Sequence, residues 1–380
     1  MANTRDIQLD TLRAVAVMMV LYAHFLASGD TYFGHLGVRL FFVLSGFLIT
    51  RLLLDARDKD AFAAGPALRS FYARRVIRIF PPYFAMLAVV WLTGLEQSRW
   101  TLAWHALYLS NFLYVHHNNW TPWELGHSWS LSIEEQFYLV WPLIVLLAPR
   151  RRIEAITIGV ICFSLAYRFY WPIAADPALA RDLLPPASMD ALGCGALLAV
   201  RQTRGADVPR WMRLSSPALA AVFLLVAWSD PGPASSTWEW ARWALMQVLP
   251  LVPLTAIVAG CSTGLRGISG RLAELSPLLF LGRISYGVYL YHNILLAYAV
   301  RAQPWIPVNV SEQGPGRFLV VGAATLVVAS LSWIFFEKPL NGLKRYFPYV
   351  ARPHPRGASE ALRFGAAPAL DLRPADRSRP

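Results

Sequence analysis

The feature that most constrains this chain is the recurrence, from one end to the other, of apolar runs about 20 residues long. As an α-helix such a run reaches about 30 Å, the depth of a bilayer's hydrocarbon core. In lipid every backbone N–H and C=O must be bonded within the protein, so runs of this kind resolve into helices. Windows at about 9–28, 36–54, 79–95, 129–148, 153–170, 188–201, 216–230, 243–262, 278–299 and 316–336 qualify. They predict an all-α, polytopic membrane protein of about ten transmembrane helices. The stretch 100–115 (WTLAWHALYLSNFLYV) competes, and is read as an amphipathic or re-entrant helix, because an extra span there would invert everything after it. Composition agrees. The chain is 56% hydrophobic and 15% charged, where a soluble domain carries about 25% charge.

Charge sets the expected orientation. With the N-terminus inside, cytoplasmic loops collect Arg51, Arg57, Lys59, Arg69, Arg74, Arg75, Arg78, Arg150, Arg151, Arg152, Arg201, Arg204, Arg210, Arg213, Arg266 and Arg271. The outer loops keep only Arg99, Arg168, Arg181, Arg242, Arg301 and Arg317. This is the positive-inside pattern with both termini cytoplasmic. It also accounts for the net charge of +12 without a nucleic-acid partner. Cys162, Cys194 and Cys261 sit singly in apolar segments, so no disulfide or metal site is expected. The first run lacks a cleavage signature and is expected to remain as a spanning helix. Residues 1–345 read as one transmembrane domain with no second soluble domain, and 346–380, rich in Pro, Ala and Arg, as a disordered cytoplasmic tail. Nothing in the sequence specifies an oligomeric state.

An ionisable side chain inside a span costs a few kcal/mol, which makes each one a functional candidate. In "LDTLRAVAVMMVLYAHF" (9–25), Arg13 and His24 are eleven residues apart. At about 100° and 1.5 Å per residue they share a face, roughly 16 Å apart along the axis. Asp10 falls on the same stripe. The plainer readings are an arginine snorkelling to the headgroups and a histidine in an interhelical hydrogen bond.

Other stretches carry further candidates. In "RSFYARRVIRIFPPYF" (69–84), Arg75 and Arg78 are one turn apart at the cytoplasmic entrance of the third span, where guanidinium forks suit phosphate oxygens. Loop decoration and anionic lipid contact are the alternative. In "HSWSLSIEEQFYLVWP" (127–142), Ser130 and Glu134 share a helical face among Trp129, Ser132, Tyr138 and Trp141. A capped helix start explains the serines and aromatics, but not Glu134 a turn into the apolar run. "LGRISYGVYLYHNILL" places Tyr286, Tyr289, Tyr291 and His292 in the ninth span, and "FFEKPLN" places Glu337 where Pro339 should stop the tenth.

Together these stretches resemble the acyltransferase-3 family of integral membrane acyltransferases, such as the acetylases of O-antigen, exopolysaccharide and Nod factor. The matching elements are "LDTLRAVAVMMVLYAH", "GVRLFFVLSGFLIT", "RRVIRIFPPYF", "HSWSLSIEEQFYLVWP", "ISYGVYLYH" and "FFEKP", in order over residues 7–340. The resemblance implies transfer of an acyl group, acetyl by default, from cytoplasmic acyl-CoA to a hydroxyl of an extracytoplasmic glycan, in the bacterial inner membrane. Acyl-CoA would be a co-substrate; no permanently bound cofactor or metal is implied. By motif, His24 is the expected catalytic base and Glu134 an acidic position of catalytic importance. Arg13, Arg75 and Arg78 are the expected acyl-CoA contacts, and Trp129, Ser130, Ser132, Tyr286 and His292 the substrate contacts. Thr11 and Arg39 stand where the family often has glycine and an acidic residue, leaving Asp30 and Glu134 as candidate carboxylates beside His24. The competing function is a transporter of a glycan precursor, which also needs a polar path through a bundle. A glycerolipid acyltransferase would need four residues between its His and Asp, whereas His24 and Asp30 have five between them.

Overall fold

The computed structural model describes residues 4–27, 32–60, 62–95, 99–174, 178–206, 208–230 and 237–349. Among them every regular element is helical. The principal helices are α1 (Thr4–Leu21), α2 (Tyr32–Arg57), α3 (Ala64–Thr93), α4 (Leu102–Ala106), α5 (Ser110–His117), α6 (Ser128–Leu147) and α7 (Ile153–Ala174). They are followed by α8 (Met189–Thr203), α9 (Arg210–Trp228), α10 (Thr237–Val248), α11 (Leu251–Thr263), α12 (Ser276–Arg301) and α13 (Pro315–Ser332). Eight helical stretches among the described residues are long and apolar enough to cross a bilayer. Leu92, Leu139, Phe163, Leu225 and Phe335 are exposed on the outside of the bundle, as lipid contact requires.

The expected windows at 188–201 and 278–299 also fold as helices, with a difference. α8 has only 15 residues, and α12 is long but diluted by Arg283, Tyr286, Tyr289, Tyr291, His292 and Asn293. The window 243–262 is split into α10 and α11 at Leu249 and Pro250, where proline lacks the N–H that would continue the helix. The 100–115 stretch forms the short pair α4 and α5, which cannot span. Pro339 does not end the last helix. A π-helical segment, Trp333–Glu337, precedes Lys338–Asn341, and Pro339 falls in that segment's first turn, where its missing N–H costs nothing. The chain stays against the bundle past the boundary expected at 345: Ser70 donates to the Pro348 carbonyl (2.7 Å) and Arg74 to that of Phe347 (3.1 Å). Asp30 and residues 350–380 lie outside the described residues.

Small residues let the helices meet backbone to backbone, the usual basis of helix packing in membranes. A Cβ on Gly46 of α2 would lie 1.9 Å from the Leu192 carbonyl of α8, and one on Gly195 would lie 1.9 Å from that of Val43. Gly282 of α12 approaches Asp10 of α1 equally closely. No rotamer change relieves a clash with backbone. Gly195→Leu is therefore expected to cost at least about 3 kcal/mol and to abolish recovery of folded protein in detergent. Gly65→Leu, with nothing within 4 Å of its Cβ, should leave the yield and melting temperature unchanged.

Arg39 has its own structural account. Its Nη2 donates to Asp190 Oδ2 at 2.9 Å, and Arg168 Nε donates to the same oxygen at 3.0 Å. Gln247 Oε1 accepts from Arg168 (3.1 Å) and from Arg39 (3.4 Å), and pairs with His35 Nε2 at 2.7 Å. This cluster ties α2, α7, α8 and α10 together in the dry interior, with Arg39 and Asp190 only 1% and 0% exposed.

Candidate active site

α1 runs from Arg13 to a π-helical turn, Tyr22–Leu26, that carries His24. Such turns widen the helix by one residue and re-aim the side chains on it. His24 Nδ1 lies 2.8 Å from His292 Nε2, with the two rings stacked at 5.0 Å. His292 Nδ1 donates to the Tyr289 carbonyl at 2.6 Å. A third ring, His127, packs edge-on against His292 at 5.0 Å, and its Nε2 donates to the Leu290 carbonyl at 3.0 Å. Arg317 Nη1 donates to the His24 carbonyl (3.3 Å) and Gln313 Nε2 to that of Ala23 (3.0 Å), fixing the backbone of this turn. His24 lines a cavity of about 340 Å³ together with Trp123, Asn293, Gln313 and Arg317.

A second cavity, of about 120 Å³, lies along the other end of α1 and is lined by Arg13, Arg75, Arg78, Glu134, Glu135 and Tyr286, among others. Arg13 is paired with Asp10. Arg75 and Arg78 make no ion pair or hydrogen bond among the described residues; Arg75 instead lies over the rings of Tyr138 (4.8 Å) and Phe71 (5.6 Å). Their N–H donors are thus left for something in the cavity. Glu134 accepts from Ser45 Oγ at 2.6 Å, and Tyr138 donates to the same Ser45 at 3.0 Å. One turn of α12 touches both cavities. Tyr289 lines the arginine cavity, where its hydroxyl meets Ser130 Oγ at 2.6 Å, and its carbonyl holds His292, which holds His24.

The structure therefore brings Arg13, Arg75, Arg78, Glu134, Ser130 and Tyr286 to one cavity, and His24 to the other. It does not bring Glu134 to His24: among the described residues the ring of His24 bonds with His292, not with a carboxylate. Nor do Trp129, Ser132 and His292 line either cavity. His292 is fully buried, and its Nε2 meets His24. Ser132 belongs to a buried chain, His105 Nδ1 to Ser128 Oγ (2.9 Å), Ser128 to Ser110 (3.0 Å) and Ser110 to Ser132 (2.8 Å), which fastens α4 and α5 onto the start of α6. Glu337 is buried too, accepting from Ser332 Oγ at 2.9 Å. Sequence reasoning passed over Ser45 and His127, and placed Glu135 only among the polar residues that open the fourth span. His127 had a signal, opening the serine-rich stretch; Ser45 becomes visible only once the helices are packed.

A sequence profile described as an acyltransferase domain matches residues 6–336. The chain belongs to the acyltransferase-3 family. Family membership speaks for a transferase over a transporter. Among curated relatives, YrhL of Bacillus subtilis, provisionally named a peptidoglycan O-acetyltransferase, is 28% identical over 364 residues, covering 88% of this chain and 54% of the relative. The peptidoglycan O-acetyltransferase OatA of Listeria monocytogenes is 27% identical over 365 residues, covering 89% and 56%. A Staphylococcus aureus protein provisionally named an O-acetyltransferase is 28% identical, covering 90% and 60%. The chain thus spans little more than half the length of these relatives. No solved structure matches it.

Proposed function

We propose that this acyltransferase-3 protein moves an acyl group, acetyl on the naming of its relatives, from acyl-CoA at the arginine cavity to a glycan hydroxyl at the His24 cavity. The observation that carries this reading is the pair of cavities joined through the Tyr289–His292 turn, one offering unpaired guanidiniums and the other a histidine. At about 120 Å³ the arginine cavity is far smaller than the several hundred Å³ of a typical cofactor site. It suits the narrow pantetheine arm, with the nucleotide and its phosphates at the mouth and the acyl-thioester end reaching past the Tyr289–His292 turn toward His24. Arg75 and Arg78 would bind those phosphates, and Arg13 would support them. His24 would take the proton of the attacking hydroxyl as the oxygen adds to the thioester carbonyl. The C–S bond would then break, and CoA would leave as the thiolate. The arginine end would face the cytoplasm of a bacterial inner membrane, and peptidoglycan is the first acceptor to try.

The test supplies radiolabelled acetyl-CoA to membranes containing the protein, with peptidoglycan fragments and other cell-envelope glycans as acceptors. Base-labile label in a glycan is the expected result. No transfer with any acyl-CoA, from folded protein, would overturn the reading. Arg75→Ala should raise KM for acetyl-CoA about 10- to 100-fold, the loss of one charge-assisted hydrogen bond, while changing KM for the glycan little. An unchanged donor KM would remove Arg75 from the donor site.

A further inference from the structure

The histidine pair carries more than proximity. A backbone carbonyl only accepts, so the 2.6 Å contact from His292 to the Tyr289 carbonyl puts a proton on His292 Nδ1. His292 is 0% exposed, and no carboxylate bonds to His24, His127 or His292 among the described residues. A charge on it would be buried without a counter-ion. A neutral ring protonated at Nδ1 has a lone pair on Nε2, and that nitrogen faces His24 Nδ1 at 2.8 Å. His24 Nδ1 must then be the donor. The neutral His24 ring is left with its lone pair on Nε2, which makes no hydrogen bond among the described residues, on a side chain that lines the larger cavity. His127 continues the logic: its Nε2 is committed to the Leu290 carbonyl and its Nδ1 is buried without a partner, so it offers His292 no competing hydrogen bond.

We propose that His292 is a positioning residue: held by the Tyr289 carbonyl, it fixes His24 in the Nδ1–H tautomer and leaves Nε2 as the base that faces the acceptor. The task that a carboxylate performs in a Ser-His-Asp triad, holding the imidazole in the right tautomer, here falls to a neutral histidine whose own tautomer is set by the backbone. The inference deepens the transferase reading and rests on it for its catalytic use. It also explains why Arg39 can occupy an acidic position without leaving the base unoriented.

The test is nitrogen NMR of protein carrying ¹⁵N-labelled histidine in lipid nanodiscs, with His24→Asn and His292→Gln samples for assignment. The expected spectrum has a protonated Nδ1 and an unprotonated Nε2 on His24, and the same tautomer on His292. A His24 ring protonated at Nε2, or an imidazolium at His292, would overturn the proposal. In the acetyl-transfer assay, His292→Leu should lower kcat by about 100-fold or more, within the range seen when a catalytic histidine loses its tautomer partner, with both KM values nearly unchanged. His292→Gln, whose side-chain oxygen can accept from His24, should recover at least about a tenth of the wild-type rate. Equal loss in both variants at equal folded yield would also contradict the proposal. A wild type with no transfer would sink the transferase reading, whereas the nitrogen spectrum decides the histidine pair by itself.

Discussion

His24→Ala is expected to lower acetyl transfer by about 10³-fold, in the middle of the range for loss of a general base, while acetyl-CoA binding stays as in wild type. The separation follows from the structure. The arginine side chains proposed to hold the donor line one cavity, and His24 lines another. Among the described residues the ring of His24 has one hydrogen-bonded partner, His292, so the fold loses about 1–3 kcal/mol, the cost of leaving one buried acceptor unpaired. Turnover measured with labelled acetyl-CoA, alongside donor binding by calorimetry on the same preparation, checks both halves. Turnover equal to wild type would remove His24 from the chemistry. A matching collapse in donor binding would mean that the two cavities are not independent.

Asp190→Ala should have a large effect on stability. Asp190 Oδ2 accepts from both Arg39 and Arg168, and its Oδ1 accepts from the Ala191 backbone N–H at 2.7 Å. All three side chains are nearly or fully buried. Without the carboxylate, two guanidiniums face each other in the dry interior, and breaking a buried pair in this way costs about 3–5 kcal/mol. The expected result is a large drop in melting temperature or no folded protein, read by fluorescence-detected gel filtration after heating. Replacing the cluster as a unit, Arg39→Met with Arg168→Met and Asp190→Leu, should recover much of the loss, because apolar side chains of similar size need no counter-charge. A stable Asp190→Ala protein would show that the cluster contributes little.

What the sequence made legible follows from range. Periodicity and run length are local, and every expected apolar window folds as helix. Arg75 and Arg78, one turn apart on α3, could be expected to act together, and Ser130 and Glu134 on α6 likewise. Long-range pairings were not visible. His24 and His292 are 268 residues apart in the chain, and Arg39 and Asp190 are 151 apart; no pattern within either segment encodes the partner. The serines of "HSWSLS" were misleading for a related reason. Ser132 was expected among the substrate contacts, but it bonds to Ser110, which accepts from Ser128, the partner of His105, inside the protein, because a buried hydroxyl must find a partner wherever it sits. Pro250 and Pro339 look alike in sequence. One marks the junction between two helices, while the other lies in a helical turn after a π segment, and only the neighbouring backbone distinguishes them.

The proposed reaction is divided across the membrane, with CoA on one side and the glycan on the other. Purified protein in sealed liposomes tests that division most directly. Acceptor glycan is trapped inside, labelled acetyl-CoA is added outside, and free CoA thiol is followed in the external solution. The account predicts labelled glycan in the lumen, one CoA thiol released outside for each acetyl transferred, and no acetyl-CoA in the lumen. Label reaching glycan only when donor and acceptor share a compartment would contradict it.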